Sequence, residues 1–499
     1  MTAAARTRPH ADGRRGGRPP IVIIGAGFSG LGMAIELKRA GIDDFVLLEK
    51  AADVGGTWRE NTYPGCGCDI MSLLYSFSFE PKSDWSRLYP QQREILGYLR
   101  HCADKYGITP HISLRTEVTG AEYDDATGTW RVSTASGPPI TARAVVAGMG
   151  PLHLPKIPEI SGLERFQGTV FHSAEWDHTC DLTGKRVAVI GTGASAIQFV
   201  PQIAPEVARL HVFQRTPPWV MPKPDRPLAA AEHRRLRKVP GLQRAIRSLV
   251  YWSQESLILG FTHPRLIKHV EALARRHLRR QVQDPELRAR LIPDYTIGCK
   301  RILVSNDYYP ALTRSNVELV TDPVKEIGED WILTGDGTRR QVDALIFGTG
   351  FHVADAFDNA NITGADGLKI QDAWSDGIEA YLGMTVAGFP NLFLLLGPNS
   401  GLGHNSMVFM IEAQARYVRQ CLQLLEDRGA SRIEVRPAVQ RDFNRGIQGR
   451  LRTAVWGAGG CTSWYLDDRG VNRAAWPGST VSYWLRTRRM RRSDYILNG

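Results

Sequence analysis

A chain of 499 residues is longer than one ordinary hydrophobic core covers, which points to several domains. Its 43% hydrophobic and 23% charged residues are those of a globular protein, and no apolar run approaches the roughly 18 residues of a membrane-spanning helix. The formal net charge of +11 would suit nucleic acid, a membrane surface or an anionic ligand. The basic excess, however, lies in the N-terminal arm, in residues 233–290 and in residues 486–492 with no nucleic-acid motif beside it, so a solvated basic surface is expected.

Residues 1–19 are rich in Arg, Gly and Pro and lack apolar periodicity, the signature of a flexible basic arm. Arg14-Arg15 raises a twin-arginine export signal. The apolar run after it, Ile21–Ile24, enters a glycine motif instead of a cleavage site, and a cytoplasmic location is expected. Seven cysteines, an odd number scattered along a long chain, fit reduced thiols better than a disulfide framework.

Ile21–Ile24 reads as a strand, followed by Gly25-Ala26-Gly27-Phe28-Ser29-Gly30 and a helix that carries Leu31, Ala34, Ile35 and Lys38 and stops near Gly41. A lone GxGxxG is weak evidence, but here strand, helix and a downstream acid all accompany it. The next strand, Phe45–Leu48, delivers Glu49 nineteen residues after Gly30. There a carboxylate can hold ribose hydroxyls while the glycines let a pyrophosphate rest on the helix N-terminus. An FAD or NAD adenosine fits, and Glu49 would repel a 2′-phosphate.

About 165 residues on, the pattern returns as strand 187–190, then Gly191-Thr192-Gly193-Ala194-Ser195-Ala196, then a helix with Ile197, Val200 and Ile203 on one face. No acid ends the following strand, 210–213. Gln214-Arg215-Thr216 stands there, and a guanidinium with a hydroxyl suits the extra phosphate of NADPH. One site excludes that phosphate and the other invites it, so the chain reads as binding two dinucleotides. Short apolar strands without alternation place both units on parallel sheets buried on two faces.

Pro217, Pro218, Pro222, Pro224 and Pro227 mark a linker, after which Leu242, Ile246 and Leu249 form one helical stripe and Leu266, Val270 and Leu273 another. The region 223–298 therefore reads as a helical insertion. Strand-like segments return at Val317–Val320, Trp331–Thr334, 344–348 and 391–396.

Just before the second unit stands Phe166-Gln167-Gly168-Thr169-Val170-Phe171-His172-Ser173-Ala174-Glu175-Trp176-Asp177, which matches FxGxxxHxxxW[PD]. This resembles the fingerprint of the type I Baeyer–Villiger monooxygenases, whose sister flavin-containing N- and S-oxygenases usually carry another aromatic at the place of Trp176. Gly55-Gly56-Thr57-Trp58 through Tyr63-Pro64-Gly65 to Cys68-Asp69, Gly348-Thr349-Gly350-Phe351, Gly397-Pro398-Asn399 through Met407, and Ser463-Trp464 extend the likeness over roughly residues 20–480.

The resemblance implies an α/β fold with two Rossmann-like dinucleotide-binding domains and a helical insertion: FAD on 20–150 and 353–499, NADPH on 151–222 and 299–352, and a helical subdomain on 223–298. It implies that NADPH reduces FAD and that an anionic C4a-peroxyflavin attacks a ketone to give an ester or lactone. An anion in a low-dielectric pocket needs a fixed cation, and arginine stays protonated. By the resemblance that cation is Arg301, held by Asp69, while Lys300 joins Arg215 at the 2′-phosphate. The same likeness sets Thr57, Trp58 and Tyr75 near the flavin, Val118 near the adenine, Met407 against the isoalloxazine, and Trp464 between nicotinamide and substrate.

Three rival readings share parts of this pattern: an N- or S-oxygenase, a flavin reductase or oxidase, and a non-catalytic redox sensor. Trp176 and the Lys300-Arg301 pair favour the Baeyer–Villiger reading over the N- or S-oxygenase. His172 is read as structural, Cys66-Gly67-Cys68 has CxC and not CxxC spacing, and no metal is expected.

Overall fold

The computed structural model describes residues 18–150, 152, 154–352, 360–461 and 463–498, so most of the expected basic arm lies outside the described residues. Apolar runs of four or five residues, too short for helices and hydrophobic on both faces, form the inner strands. Ile21–Ile24 is the centre of a five-stranded sheet in the order 392–394, 144–147, 21–24, 45–48, 112–113, parallel throughout. Its edge strand Leu392–Leu394 comes from far along the chain. Helix Phe28–Arg39, the one predicted after the first glycine motif, packs against helix Met407–Arg428.

The second glycine strand, Arg186–Ile190, is central to another parallel sheet in the order 317–320, 209–213, 186–190, 344–347, 169–172. Thr169–His172, the middle of the fingerprint, is its edge. Trp331–Thr334 is a strand but belongs to a separate antiparallel meander with Val324–Ile327 and Arg339–Gln341.

Between the two halves of the second sheet lie five helices, Ala230–Lys238, Leu242–Ser256, Ile258–Thr262, Pro264–Gln281 and Pro285–Arg290. Their apolar stripes are not where the periodicity put them: Leu249 is 70% exposed, Leu266 45% and Leu273 46%. The longest of these helices carries a second apolar face, Ile267, Ala274 and Leu278, offset by one position, and that face is the buried one. No helix among the described residues is long and apolar enough to cross a membrane.

Two buried polar joints fix the insertion to the first domain. Arg247 donates to the carbonyls of Leu73 (2.6 Å) and Ser76 (2.9 Å). Glu255 accepts from the Thr480 amide (2.6 Å), the Thr480 hydroxyl (2.7 Å) and Asn405 (2.7 Å), with His404 Nε2 at 3.5 Å. Burial alone would raise the Glu255 carboxyl, but these donors outweigh it and hold it down at about 2, against an ordinary 4.5. A depressed folded value means that the carboxylate stabilises fully above pH about 4.5 and that this is lost as pH falls toward 2, on the order of 3 kcal/mol. Urea unfolding of Glu255→Gln should therefore lie below wild type at pH 6, with the gap narrowing between about pH 4.5 and 2. A gap independent of pH would reject the assignment.

Candidate active site

Both glycine turns lie at the carboxyl ends of central strands, next to the point where strand order reverses, and both open on one cavity of about 1920 Å³. Single small-molecule pockets reach about 1,000 Å³, so this space is of the size for two bound molecules. Gly25, Gly27, Glu49, Thr57, Trp58, Asp69, Tyr75, Val118 and Met407 line it from the first domain; Gly191, Thr192, Gly193, Ala194, Ser195, Arg215, Thr216, Lys300, Arg301 and Trp464 line the rest. Of the residues assigned to the cofactors or the chemistry, Gly30 and Ala196 do not line it; they pack behind the two turns.

That packing explains the glycines. A Cβ on Gly30 would lie 1.8 Å from the Gly25 carbonyl oxygen, an overlap only backbone movement could relieve. Gly30→Ala should consequently reach the soluble fraction without yellow flavin, read as the loss of visible absorbance at 450 nm on the order of that of bound flavin; a normally yellow variant would refute the cradle. Gly191 has φ +110°, and a Cβ there would lie 2.4 Å from Gly348 O. This close approach seats the Gly348–Phe351 linker against the second turn.

Glu49 ends its strand as expected, buried, with Oε2 accepting from the Ala26 amide (2.8 Å) inside the first glycine turn and Oε1 from Ala51 (3.0 Å). Arg59, not singled out from sequence, lies 3.2 Å from it. Beside this cradle Trp58 Nε1 donates to the Tyr75 hydroxyl at 3.0 Å, and Phe28 meets Tyr75 edge-on at 5.2 Å. Burial pushes the Tyr75 hydroxyl far up, so it stays protonated. Val118 opens the strand Val118–Asp124, and Met407 opens its helix behind the Ser406 cap.

Two cationic centres face the same space. Lys300 lies with its ammonium 5.0 Å from the Tyr295 ring, and burial first, then Arg215, lowers it from the ordinary lysine value. Two cations close enough to weaken each other are relieved by an anion between them. Thr216, next in sequence, accepts through its carbonyl from Thr192 at 3.4 Å, which ties this strand end to the glycine turn.

The second centre joins residues 232 positions apart: Arg301 Nη2 donates to Asp69 Oδ2 at 2.9 Å. The Arg301 side chain is 42% open and that of Asp69 only 13%, and the open face belongs to the cavity wall. Burial works against the charged guanidinium, but Asp69, with Tyr465 and Cys68, more than reverses this, and the group is held above the ordinary arginine value. Tyr465 itself is buried, and its hydroxyl is pushed up to about 12.

Gln198, on helix Ala196–Ile203 of the second domain, was missed in the sequence. Its Oε1 accepts from the Tyr63 hydroxyl (3.1 Å) and Gly67 N (3.2 Å), and its Nε2 donates to Gly67 O (3.1 Å) and Asp69 Oδ1 (3.5 Å). A Cβ on Gly65 would lie 2.7 Å from Gln198 O, so Gly65 is what lets this helix reach the Asp69 loop. Gln198 and Gln202, at i and i+4 on a helix otherwise apolar, form one polar stripe, and that was the available signal.

His172 is fully buried, and burial lowers it to about 4, so it is neutral; Nδ1 accepts from Ala174 N at 3.1 Å and the ring meets Phe351 at 5.6 Å. Trp176 packs on Phe171 and Phe199. The fingerprint is thus a packing unit between edge strand and linker. Burial raises both Cys66 and Cys68 to about 12, which leaves them unreactive. The expectation of reduced thiols throughout is corrected at one pair: Cys299 and Cys461 are bonded, and the other five cysteines are free. Their 162-residue separation hid this, because only folding brings the two segments together.

Two dinucleotide cradles opening on one cavity, with a carboxylate-paired guanidinium on its wall, define an oxidoreductase that uses two nucleotides. Consistent with this, residues 22–246 match the family model described as pyridine nucleotide-disulphide oxidoreductase. A Baeyer–Villiger monooxygenase of Pseudomonas aeruginosa is 51% identical over 479 residues, 96% of this chain and 91% of that one. Another, from Streptomyces coelicolor, is 47% identical over 95% of this chain and 92% of its own. Among solved structures, OTEMO in complex with FAD and NADP superposes with a TM-score of 0.88 at 27% identity, covering 96% of this chain and 100% of that one. Cyclohexanone monooxygenase from Rhodococcus sp. Phi1 bound to NADP+ gives 0.87 at 28%, over the same shares. The chain belongs to the Baeyer–Villiger monooxygenase family, and it is a flavin monooxygenase of that type.

Proposed function

We propose that this enzyme, with FAD in the first cradle and NADPH in the second, converts a ketone, O₂, NADPH and a proton into an ester or lactone, NADP⁺ and water. One observation carries the reading: the Arg301–Asp69 pair, 2.9 Å apart, stands on the wall of the cavity that both cradles share. Bound FAD supplies the acceptor for the hydride and, once reduced, the electrons that activate O₂. Attack on a carbonyl by oxygen is favoured when that oxygen is anionic, and Arg301 keeps fixed positive charge where this negative charge has to be held. Asp69 holds the guanidinium in place and keeps it protonated, and Gln198 braces Asp69 from the nucleotide domain.

Arg215, Thr216 and Lys300 hold the 2′-phosphate, and the glycine turns with their helix N-termini take the pyrophosphates. Thr57, Trp58, Tyr75 and Met407 surround the isoalloxazine, Val118 meets the adenine through its backbone, and Trp464 bridges nicotinamide and substrate. The proposed location is the cytoplasm, a reducing compartment in which the five unbonded cysteines stay thiols.

The test is a panel of linear, cyclic and aromatic ketones beside sulfides and amines, followed by NADPH consumption and product identification. Esters or lactones are the expected products. Oxides of the sulfides and amines without any ester would transfer the enzyme to the N- or S-oxygenase class, and NADPH oxidation without oxygenated product to the oxidases.

A further inference from the structure

Cys299 immediately precedes Lys300-Arg301, and Cys461 stands two positions before Ser463-Trp464-Tyr465. Their bond closes a covalent link across 162 residues between the two segments that meet at the cationic centre. The surroundings are shaped for this approach. Thr296 N donates to Gly459 O at 3.1 Å, and a Cβ on Gly459 would lie 2.6 Å from the Cys299 Cβ, so only glycine lets the strands of backbone come this close. On the far side of the link the Trp464 and Tyr465 rings meet at 4.1 Å, tilted by 36°, and Tyr465 acts electrostatically on Arg301. Trp464 is 42% exposed, while Tyr465 beside it is buried and accepts through its carbonyl from Arg473 N at 3.1 Å.

The two sulfurs are not equivalent. Cys299 is 1% exposed, whereas Cys461 is half-buried and the one a solute can reach. Disulfides in reducing compartments are, as a rule, transient and redox-sensing, not structural frameworks.

We propose that Cys299 and Cys461 form a reversible redox staple, closed by a hydroperoxide and opened by a dithiol, that fixes the Trp464-Tyr465 segment against Lys300-Arg301. In the closing reaction the Cys461 thiolate attacks hydrogen peroxide, the O–O bond breaks and hydroxide leaves, giving a sulfenic acid. The Cys299 thiol then attacks that sulfur; the S–S bond forms, the S–O bond breaks, and the departing hydroxide takes the thiol proton as water. Two thiols and one peroxide thus become one disulfide and, with the thiolate's original proton, two waters. A dithiol reductant opens the staple by exchange through a mixed disulfide, and is itself oxidised to a disulfide. Closure holds the two segments together during oxygen transfer, and opening releases them. The catalytic consequence rests on the role of Arg301 proposed above, while the chemistry of the pair does not.

The experiment uses the FAD-loaded enzyme, treated with hydrogen peroxide or with dithiothreitol, alkylated without reduction, digested and mapped by mass spectrometry. A linked Cys299–Cys461 peptide is expected after peroxide, and two alkylated peptides after dithiothreitol. Product formed per NADPH consumed should be about 2- to 10-fold lower in the opened enzyme, because small displacements of positioned groups weigh heavily on such steps. The rate of flavin reduction by NADPH without oxygen should be equal in both. Cys299→Ser and Cys461→Ser should each sit at the opened value and ignore peroxide; the wild-type titration decides the matter without them. Free thiols at both positions after peroxide, or equal coupling in the linked and unlinked enzyme, would overturn the proposal. If neither form yields oxygenated product, the Baeyer–Villiger reading fails, and the peptide map still decides whether the pair responds to peroxide.

Discussion

Arg301→Ala should bind flavin and accept hydride from NADPH at close to the wild-type rate, yet form oxygenated product more slowly by on the order of 10²–10³. The separation of the two half-reactions is the informative part. Hydride transfer needs both cradles and their spacing, to which the Arg301 side chain contributes only through Asp69. Oxygen transfer to a carbonyl needs negative charge held in a cavity with little water, and there the carboxylate-held guanidinium is the fixed positive charge. Arg301→Lys keeps charge but loses the planar fork, so it should recover part of the activity and not all of it. Asp69→Asn should fall between wild type and Arg301→Ala, since the arginine remains but loses the partner that most strongly favours its charged form. Anaerobic stopped-flow reduction and product quantification on the same preparations measure both halves. Ester yield in Arg301→Ala equal to wild type would remove the residue from the chemistry.

Arg215→Ala should raise the KM for NADPH by about 10- to 100-fold and leave that for NADH within about twofold, because a charge-assisted bond to phosphate is worth roughly 1.5–3 kcal/mol. The 2′-phosphate is the one group that distinguishes the two nucleotides. Lys300 shares the site and is already lowered by its proximity to Arg215, so removing one cation lets the other recover some of the binding. A Lys300→Ala change added to Arg215→Ala should therefore cost more than the product of the two single effects. Steady-state kinetics with both nucleotides settle it. An equal rise for NADPH and NADH would mean that Arg215 supports the strand end and not the phosphate.

The two glycine units were fully legible in the sequence because strand, turn and helix are local and their steric demands are written in consecutive residues. Gly30 must be glycine for reasons confined to five positions of chain, and the helix Phe28–Arg39 ends before Gly41 as its composition dictates. The Arg301–Asp69 contact could not be derived from spacing; it was reached through motif resemblance, and the geometry supplies the pairing. Gln198, Tyr465 and the Glu255–His404 joint were invisible for one shared reason: each acts across a domain boundary, where sequence distance carries no information. The helical stripes failed differently. Pro264–Gln281 offers two apolar faces, and periodicity alone cannot say which one meets the rest of the molecule. Leu249, Leu266 and Leu273 show that the answer came from tertiary packing.

The first sheet takes its edge strand from residues 392–394, in register with 145–147, and Met407 reaches the cavity only beyond that strand. During synthesis the opening 150 residues leave the ribosome with one side of this sheet unpaired and one wall of the flavin pocket missing. Strand 144–147 then waits, apolar and with one edge unpaired, for some 240 further residues to be translated, an edge open to pairing with other chains meanwhile. A nascent chain arrested before residue 392 should accordingly carry both glycine turns and fail to retain flavin, which absorbance of the stalled complex would measure.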